Sequence, residues 1–513
     1  MLRENLLKQL KTNFLDKLIP IMLIMSLIVV LSRFIEIGLT GDDPFIYMDA
    51  FRRDGILKAS IRQAIGQGRF WLVLTWTLSQ LTYIFNNLLI TNVIKIIINL
   101  ILFFSFFYFI KQLFNRSFAY LVSFIGLMIF NIVGGEFNPL FNSPLWYALG
   151  GIFILCSFIR FKSELSQRKN HFYSYTLFFI GLLYYEIFIF YVFAFPIIYL
   201  MNVNHKALFS TISIHKLVKK FFPLAIVIII YLCIYGIFRH FYPSGYPNNQ
   251  KLVITSLYRT YQTIMGLSKH GIAIFDLHRW EKINYEYILS SLTMTIFLSL
   301  GLFFSLKKLI SDGSLKVLKK KCTPRLYAAL IFFTFCPNFF YGFIDYYHSF
   351  GYYVGTFFSA LAIIVLVAFL LINLISSPSK IKGGSVILLL SLFFYTSVMN
   401  YHHFFYTFNS KMRVYFYKHV LMDKISIKIK DVIEENDKIC SPSMRGEKQD
   451  AYEIYNFWSL YLSQKTQKKI SVTYDDKDCD AVLDFVFTSD NYILKFRHLK
   501  NNINLEESQK RLL

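Results

Sequence analysis

The sequence predicts an all-α polytopic membrane protein of about eleven transmembrane helices, an odd count, followed by a small α/β domain. Three observations lead there. Hydrophobic residues make up 55% of the 513 positions and aromatic residues 19%, more apolar surface than a soluble domain can hide. The apolar residues fall into runs of about 15–24 positions, close to the ~20 that cross a bilayer. Much of the basic excess, 54 Lys and Arg against 31 Asp and Glu, sits in short loops between these runs, as positive-inside topology requires. The +23 charge is therefore spread as topology demands, with no basic stripe on a soluble fold, which argues against nucleic-acid binding.

The first span covers 18–37, apolar except for Arg33 and Glu36 at its far end. Arg3, Lys8, Lys11 and Lys17 outnumber Glu4 and Asp16 ahead of it, which keeps the N-terminus in the cytoplasm. No small-residue cleavage site follows, so the span reads as a permanent helix. In the stretch 38–69, Tyr47, Phe51 and Ile56 against Asp49, Arg52, Arg53 and Lys58 predict a helix along the membrane surface. Gln80, Asn86 and Asn87 make 70–89 interfacial. Spans follow at 91–110, 118–133 and 145–159, the last two joined by a short outer loop at 134–144. The run 172–201 is too long for one upright helix and is split into a hairpin at Tyr184-Tyr185-Glu186, a single tilted helix being the alternative. Later spans are 221–238, 288–306, 326–343, 352–375 and 385–400. A large outer loop lies at 239–287, and the most basic loop, 307–325, centres on Lys319-Lys320-Lys321.

This divides the chain into a membrane domain, 1–400, and an outer domain, 401–513. The tail carries 18 Lys and Arg against 16 Asp and Glu, nearly neutral, and its roughly one hundred residues suffice for a core of their own. Positions 469–474 and 481–487 read as strands, 451–462 as a helix and 426–430 as alternating structure.

The candidate chemistry lies on the outer loops. Asp42 and Asp43 stand just beyond the first span, in Gly41-Asp42-Asp43-Pro44; an ordinary Asp-Pro turn is the plain alternative. Arg69, Glu136, Tyr185, Glu186 and His348 share that rim, whereas the helix centres read as almost free of charge, unlike a pump or ion-coupled transporter. Such a rim suits chemistry on a lipid headgroup. A carboxylate can act as general base on an acceptor hydroxyl. Cations can hold a phosphate leaving group, and Tyr or Trp faces can stack on sugars. Simpler readings compete: Arg69 as a snorkelling anchor, Glu186 as a helix cap, and the aromatics around His348 as an interfacial belt. Asp276-Leu277-His278 lacks a third ligand at sensible spacing, so no metal is expected. Cys440 and Cys479, the two cysteines of the outer tail, are expected to form a disulfide, two unpaired thiols being the alternative.

A cytoplasmic N-terminus, Asp42-Asp43 opening the first outer loop, Gly68-Arg69 ahead of an aromatic run, the Gly134-Gly135-Glu136-Phe137-Asn138-Pro139 loop and an external C-terminal domain together resemble the GT-C glycosyltransferases. The chain is most similar to their phage-type, serotype-converting O-antigen glucosyltransferases of enteric bacteria, chiefly over 18–161 and least in the tail. The resemblance implies an inverting inner-membrane enzyme. It would move a glucosyl residue from undecaprenyl-phosphate glucose to an O-antigen sugar of lipopolysaccharide on the periplasmic face, without cofactor or metal. It puts the catalytic acid at Asp42 or Asp43. Three rivals remain. A lipid-linked oligosaccharide flippase predicts mid-helix charges and inverted repeats. An O-antigen polymerase couples whole repeat units. A non-catalytic membrane subunit predicts dispensable outer acids.

Overall fold

The computed structural model describes residues 2–39, 43–51, 55–85, 87–130, 144–167, 169–202, 211–245, 285–321, 323–341, 353–376, 380–409, 413–442, 457–473, 478–487 and 491–510. The chain opens with α1 (Leu2–Ser32), which tightens into a 3₁₀ turn, Arg33–Glu36. Three short helices follow, α2 (Asp43–Ala50), α3 (Ile56–Gln67) and α4 (Leu72–Leu81). Next come α5 (Leu88–Leu113), α6 (Arg116–Ile129), α7 (Pro144–Ser166) and α8 (Phe172–Leu182). A second 3₁₀ segment, Glu186–Phe193, leads into α9 (Ala194–Asn202) and α10 (Thr211–Phe241). The bundle closes with α11 (Tyr285–Ser311), α12 (Ser314–Lys321), α13 (Pro324–Tyr341), α14 (Tyr353–Ile375) and α15 (Lys380–Thr407).

Five helices among the described residues are long and apolar enough to cross a bilayer: Phe14–Glu36, Leu88–Leu113, Val218–Phe241, Tyr285–Ser311 and Gly383–Thr407. The first shows why an apolar solvent suits them. Ile19, Met22, Leu23, Leu27 and Val30 recur at helical spacing and are buried against the bundle. The opposite face, Ile21, Ile24, Met25 and Ile28, is equally apolar and exposed. A helix apolar all round belongs in a core or a membrane. Other predicted spans are realised as shorter apolar helices, including α6 and α8. The run 172–201 does break at Tyr184-Tyr185, yet α8 rises only about 16 Å, half a hydrocarbon core.

α6 is the axis of the bundle, with nearly every side chain from Ser117 to Ile129 buried. It packs on α1, α5, α11, α14 and α15. Gly301 of α11 lets Phe124 approach: a Cβ there would lie 2.3 Å from the ring. Asn115 caps α6 by accepting from the Phe118 N–H at 2.8 Å, and Asn87 caps α5 in the same way at Leu89. At one end of the bundle, Lys308 of α11 pairs with Asp16 of α1 at 2.7 Å and with Asp312 at 3.3 Å, and Ser117 also donates to Asp312.

The last membrane-type helix continues to Thr407, past the expected boundary at residue 400. The tail then forms α16 (Arg413–Ile429), β1 (Lys438–Cys440), α17 (Phe457–Thr466), β2 (Ser471–Thr473), β3 (Ala481–Phe487), β4 (Asn491–His498) and β5 (Ile503–Lys510). The five strands make one mixed sheet in the order β2-β1-β3-β4-β5, parallel across β2-β1-β3 and antiparallel beyond. The strand expected at 481–487 forms with those bounds. Residues 426–430, read as alternating, are the end of α16. Tyr417, Leu421, Ile425 and Ile429, spaced four apart, are buried, while Ile427 is 75% exposed. The helical period overrides the local alternation. Cys440 and Cys479 are joined in a disulfide with Cα atoms 5.7 Å apart, tying the end of β1 to the turn before β3.

Candidate functional site

Asp43 opens α2 and is fully buried. Lys95 of α5 places Nζ 2.7 Å from its Oδ2, and the Tyr83 hydroxyl donates to its Oδ1 at 2.8 Å. An acid in the first turn suits the helix dipole, and Pro44 beside it has no N–H to waste. Lys95 sits about 10 Å along α5 from its start, between Asn92 and Asn99, and is itself buried. Each charge answers the desolvation of the other, and the tyrosine satisfies the second carboxylate oxygen. One helical turn further, Asn99 lines an apolar cleft between α1, α5, α6 and α14. That cleft has about 860 Å³ of open volume and is lined by Leu27, Phe34, Leu102, Phe103, Leu127 and Leu361 among others.

Asp49, the other acid of α2, is 2% exposed. Trp76 Nε1 and Gln63 Nε2 donate to its Oδ2 at 3.0 and 3.2 Å, and Arg62 approaches Oδ1 at 3.4 Å. α2 is thus a buried helix, not the surface helix the sequence suggested. In α3, Leu57, Ile61 and Ile65 recur every four residues and are exposed, whereas Ala59, Ser60 and Ala64 are buried.

Arg69, Tyr185 and Glu186 come together at the far end of α4. Arg69 Nη2 lies 3.3 Å from Glu186 Oε1, and its guanidinium covers Trp71. Tyr185 meets the edges of Trp71 and Tyr147 at centroid distances of 5.3 and 4.9 Å. Tyr231 and Tyr235 of α10 lie within electrostatic reach of both Arg69 and Glu186, and Arg239 Nη1 donates to Tyr235 at 2.7 Å. Among the described residues, Tyr231 Oη and Glu186 Oε2 are buried without a hydrogen-bond partner. Gly68 makes this corner possible. It caps α3 at φ +65°, and a Cβ would lie 2.7 Å from the Tyr242 carbonyl oxygen. This corner lies at the start of α4, whereas Asp43 is met by Tyr83 just past the end of that helix.

The tail covers the Asp43 end. Glu36 pairs with Arg413 at 2.7 Å and accepts from Tyr417 at 3.3 Å. Gly38 lies against Tyr415, where a Cβ would come within 2.3 Å. Tyr47 of α2 packs on Tyr83 and on Phe457 and Tyr461 of α17, and burial with the nearby Asp423 charge pushes its hydroxyl pKa up. His419 of α16 is enclosed by Phe457, Trp458 and Tyr461. Burial, with Lys465 and Lys418 nearby, lowers its pKa to about 3.

The chain matches no protein-family model and no curated protein. Its chemistry therefore has to be read from this arrangement. Among the described residues no group of three His, Cys, Asp or Glu side chains is placed to hold a metal ion. Of the residues singled out in the sequence, Asp42, Glu136 and His348 lie outside the described residues. Asp43 is at one centre; Arg69, Tyr185 and Glu186 share the other. Sequence reasoning missed Lys95, Tyr83, Asp49 and Trp76. The signal for Lys95 was present: a lone ionisable residue inside an apolar helix is a functional candidate by default.

Proposed function

We propose that the chain is a GT-C-like glycosyltransferase. It would move a glucosyl residue from undecaprenyl-phosphate glucose to an O-antigen sugar of lipopolysaccharide on the periplasmic face of a bacterial inner membrane. The observation that carries this reading is the Asp43–Lys95–Tyr83 cluster, one helical turn from an apolar cleft. A polyprenyl-phosphate sugar has the matching parts: an anionic phosphodiester for Lys95 and a long apolar tail for the cleft.

In this reading both Asp43 oxygens are already engaged, so Asp43 is a positioning residue that holds Lys95 and anchors the start of α2. The adjacent Asp42 is the general base. It takes the proton from the acceptor hydroxyl as that oxygen attacks the sugar C1. The C1–O bond to phosphate breaks, its electron pair leaves with the phosphate, and Lys95 stabilises the anion that departs. Attack opposite the leaving group inverts C1. The Arg69–Glu186 corner, with Trp71, Tyr147 and Tyr185, is where an extended acceptor would rest; aromatic faces and a paired Arg and Glu suit sugar hydroxyls and rings. The tail's disulfide fits an oxidising compartment, consistent with a periplasmic placement.

The test is transfer of labelled glucose in membranes supplied with undecaprenyl-phosphate glucose and O-antigen acceptor. Asp42→Asn should lower the rate by about 10²–10⁴-fold with the protein still inserted. Unchanged transfer by that variant would remove Asp42 as the base.

A further inference from the structure

α2 has only eight residues, too few to hold a helix in place by its own backbone hydrogen bonds, so what packs on it decides where it sits. From the bundle, Gln63 and Trp76 hold Asp49, and Lys95 holds Asp43. The tail supplies a further hold. Tyr47 stands four residues after Asp43, on the same face of the helix. Its ring lies 5.6 Å from that of Phe457 and 5.7 Å from that of Tyr461, both of α17, and all three side chains are buried.

The α17 side of this contact is itself fixed. Phe457 and Tyr461 stack one turn apart with centroids at 5.6 Å, and His419 of α16 meets both rings edge-on. Asp423 of α16 accepts from the Tyr461 hydroxyl and pairs with Lys465 at 2.6 Å, which ties α17 to α16 at two points. Tyr47 thus enters an aromatic cluster that belongs to the tail.

The other side of Tyr47 leads to the acid cluster. Tyr83 meets it edge-on, with ring centroids 5.6 Å apart, a geometry that aromatic pairs favour. Tyr83 lies in the turn after α4, so packing rather than a helical backbone directs its side chain. Its hydroxyl donates to Asp43 at 2.8 Å, and Lys95 Nζ stands 5.9 Å from its ring centre. One ring therefore touches both members of the buried pair and also the residue that the tail grips.

We infer that α17 positions the acid centre: Phe457 and Tyr461 set Tyr47, and Tyr47 sets the Tyr83 ring so that its hydroxyl stays on Asp43 beside Lys95. The tail is then a part of the site, and Phe457, Tyr461 and Tyr47 are positioning residues. Only the effect on turnover rests on the glycosyltransferase reading. There, a misplacement of about 1 Å at the reacting centre costs on the order of 10²-fold in rate.

The experiment replaces Tyr83 with a fluorotyrosine in the full-length protein in nanodiscs and reads its fluorine NMR resonance. Phe457→Ala with Tyr461→Ala should move or broaden that resonance while the tail stays resistant to protease. Tyr461→Phe, which keeps the ring, should leave it at the wild-type position. In unlabelled protein the double alanine variant should lower the kcat of glucosyl transfer by roughly 10²-fold with the donor KM unchanged, and Tyr461→Phe should restore it. A resonance unmoved by the double alanine variant would overturn the inference, because a merely structural contact would weaken the tail and leave Tyr83 alone. Equal loss of turnover in Tyr461→Phe and Tyr461→Ala would overturn it too. If the double alanine variant unfolds the tail, Phe457→Leu with Tyr461→Leu, which keeps apolar volume there, is read in the same way. The fluorine readout decides the inference whether or not the chain transfers glucose; failure of the enzymatic reading would show instead as a wild type without transfer.

Discussion

Breaking the Asp43–Lys95 pair from either side should cost far more than removing it whole. Asp43 is fully buried and Lys95 nearly so, with 2.7 Å between Nζ and Oδ2. Asp43→Asn removes the carboxylate that meets the buried Lys95 ammonium group at 2.7 Å. Lys95→Met leaves a buried carboxylate held by the Tyr83 hydroxyl. Removing one partner of a buried pair costs about 3–5 kcal/mol, because the remaining charge is uncompensated. The double variant, Asp43→Asn with Lys95→Met, buries no charge and should lose less stability than either single one. The assay is a double-mutant cycle on unfolding of the purified protein in nanodiscs, followed by transfer measurements on the folded variants. The double variant should fold and yet fail to transfer, since Lys95 is no longer there for the phosphate. Single variants that lose under about 1 kcal/mol, or losses that simply add, would refute the buried pair. A double variant with full activity would leave the pair a purely structural strut.

Arg69→Ala should raise the apparent KM for the O-antigen acceptor and leave that for the lipid donor unchanged, because the Arg69 corner lies at the opposite end of α4 from Asp43; a donor effect would put the phosphate there instead. Cys440→Ser with Cys479→Ser should destabilise the tail by about 3–4 kcal/mol, the chain-entropy value for a 39-residue separation, as read by proteolysis of the outer domain. His419 stays neutral in the folded tail down to about pH 3, whereas the unfolded chain takes up a proton near 6.5. Its contribution is therefore complete above pH 6.5 and is lost as pH falls below it, at up to about 1.4 kcal/mol per pH unit. Between pH 6.5 and 5, His419→Phe should flatten the stability profile of the tail relative to wild type.

The apolar runs made the long helices legible, because a helix apolar on both its packed and its exposed side leaves no polar face to blur the pattern. The break at Tyr184-Tyr185 and the strand at 481–487 were also legible, one from excess length and one from its short run of Val, Leu and Phe. The acid pair was legible as a place, since its position beyond the first span follows from topology. Its environment was not. Lys95 and Tyr83 reach Asp43 across 52 and 40 residues of sequence, and no local pattern encodes such a contact. Asp49 misled because the same spacing that makes an amphipathic surface helix also serves a buried one when Trp76, Gln63 and Arg62 supply the polar partners. The docking of the tail on the first span, through Glu36–Arg413 and the Gly38 contact with Tyr415, joins positions almost four hundred residues apart and needed the structure.

The most direct test of the central reading is where the donor binds. Cryo-electron microscopy of the protein in nanodiscs with undecaprenyl-phosphate glucose should show the phosphate beside Lys95, the sugar toward the start of α2, and the prenyl chain in the cleft between α1, α5, α6 and α14. Headgroup density away from Lys95, or a prenyl chain outside that cleft, would contradict it.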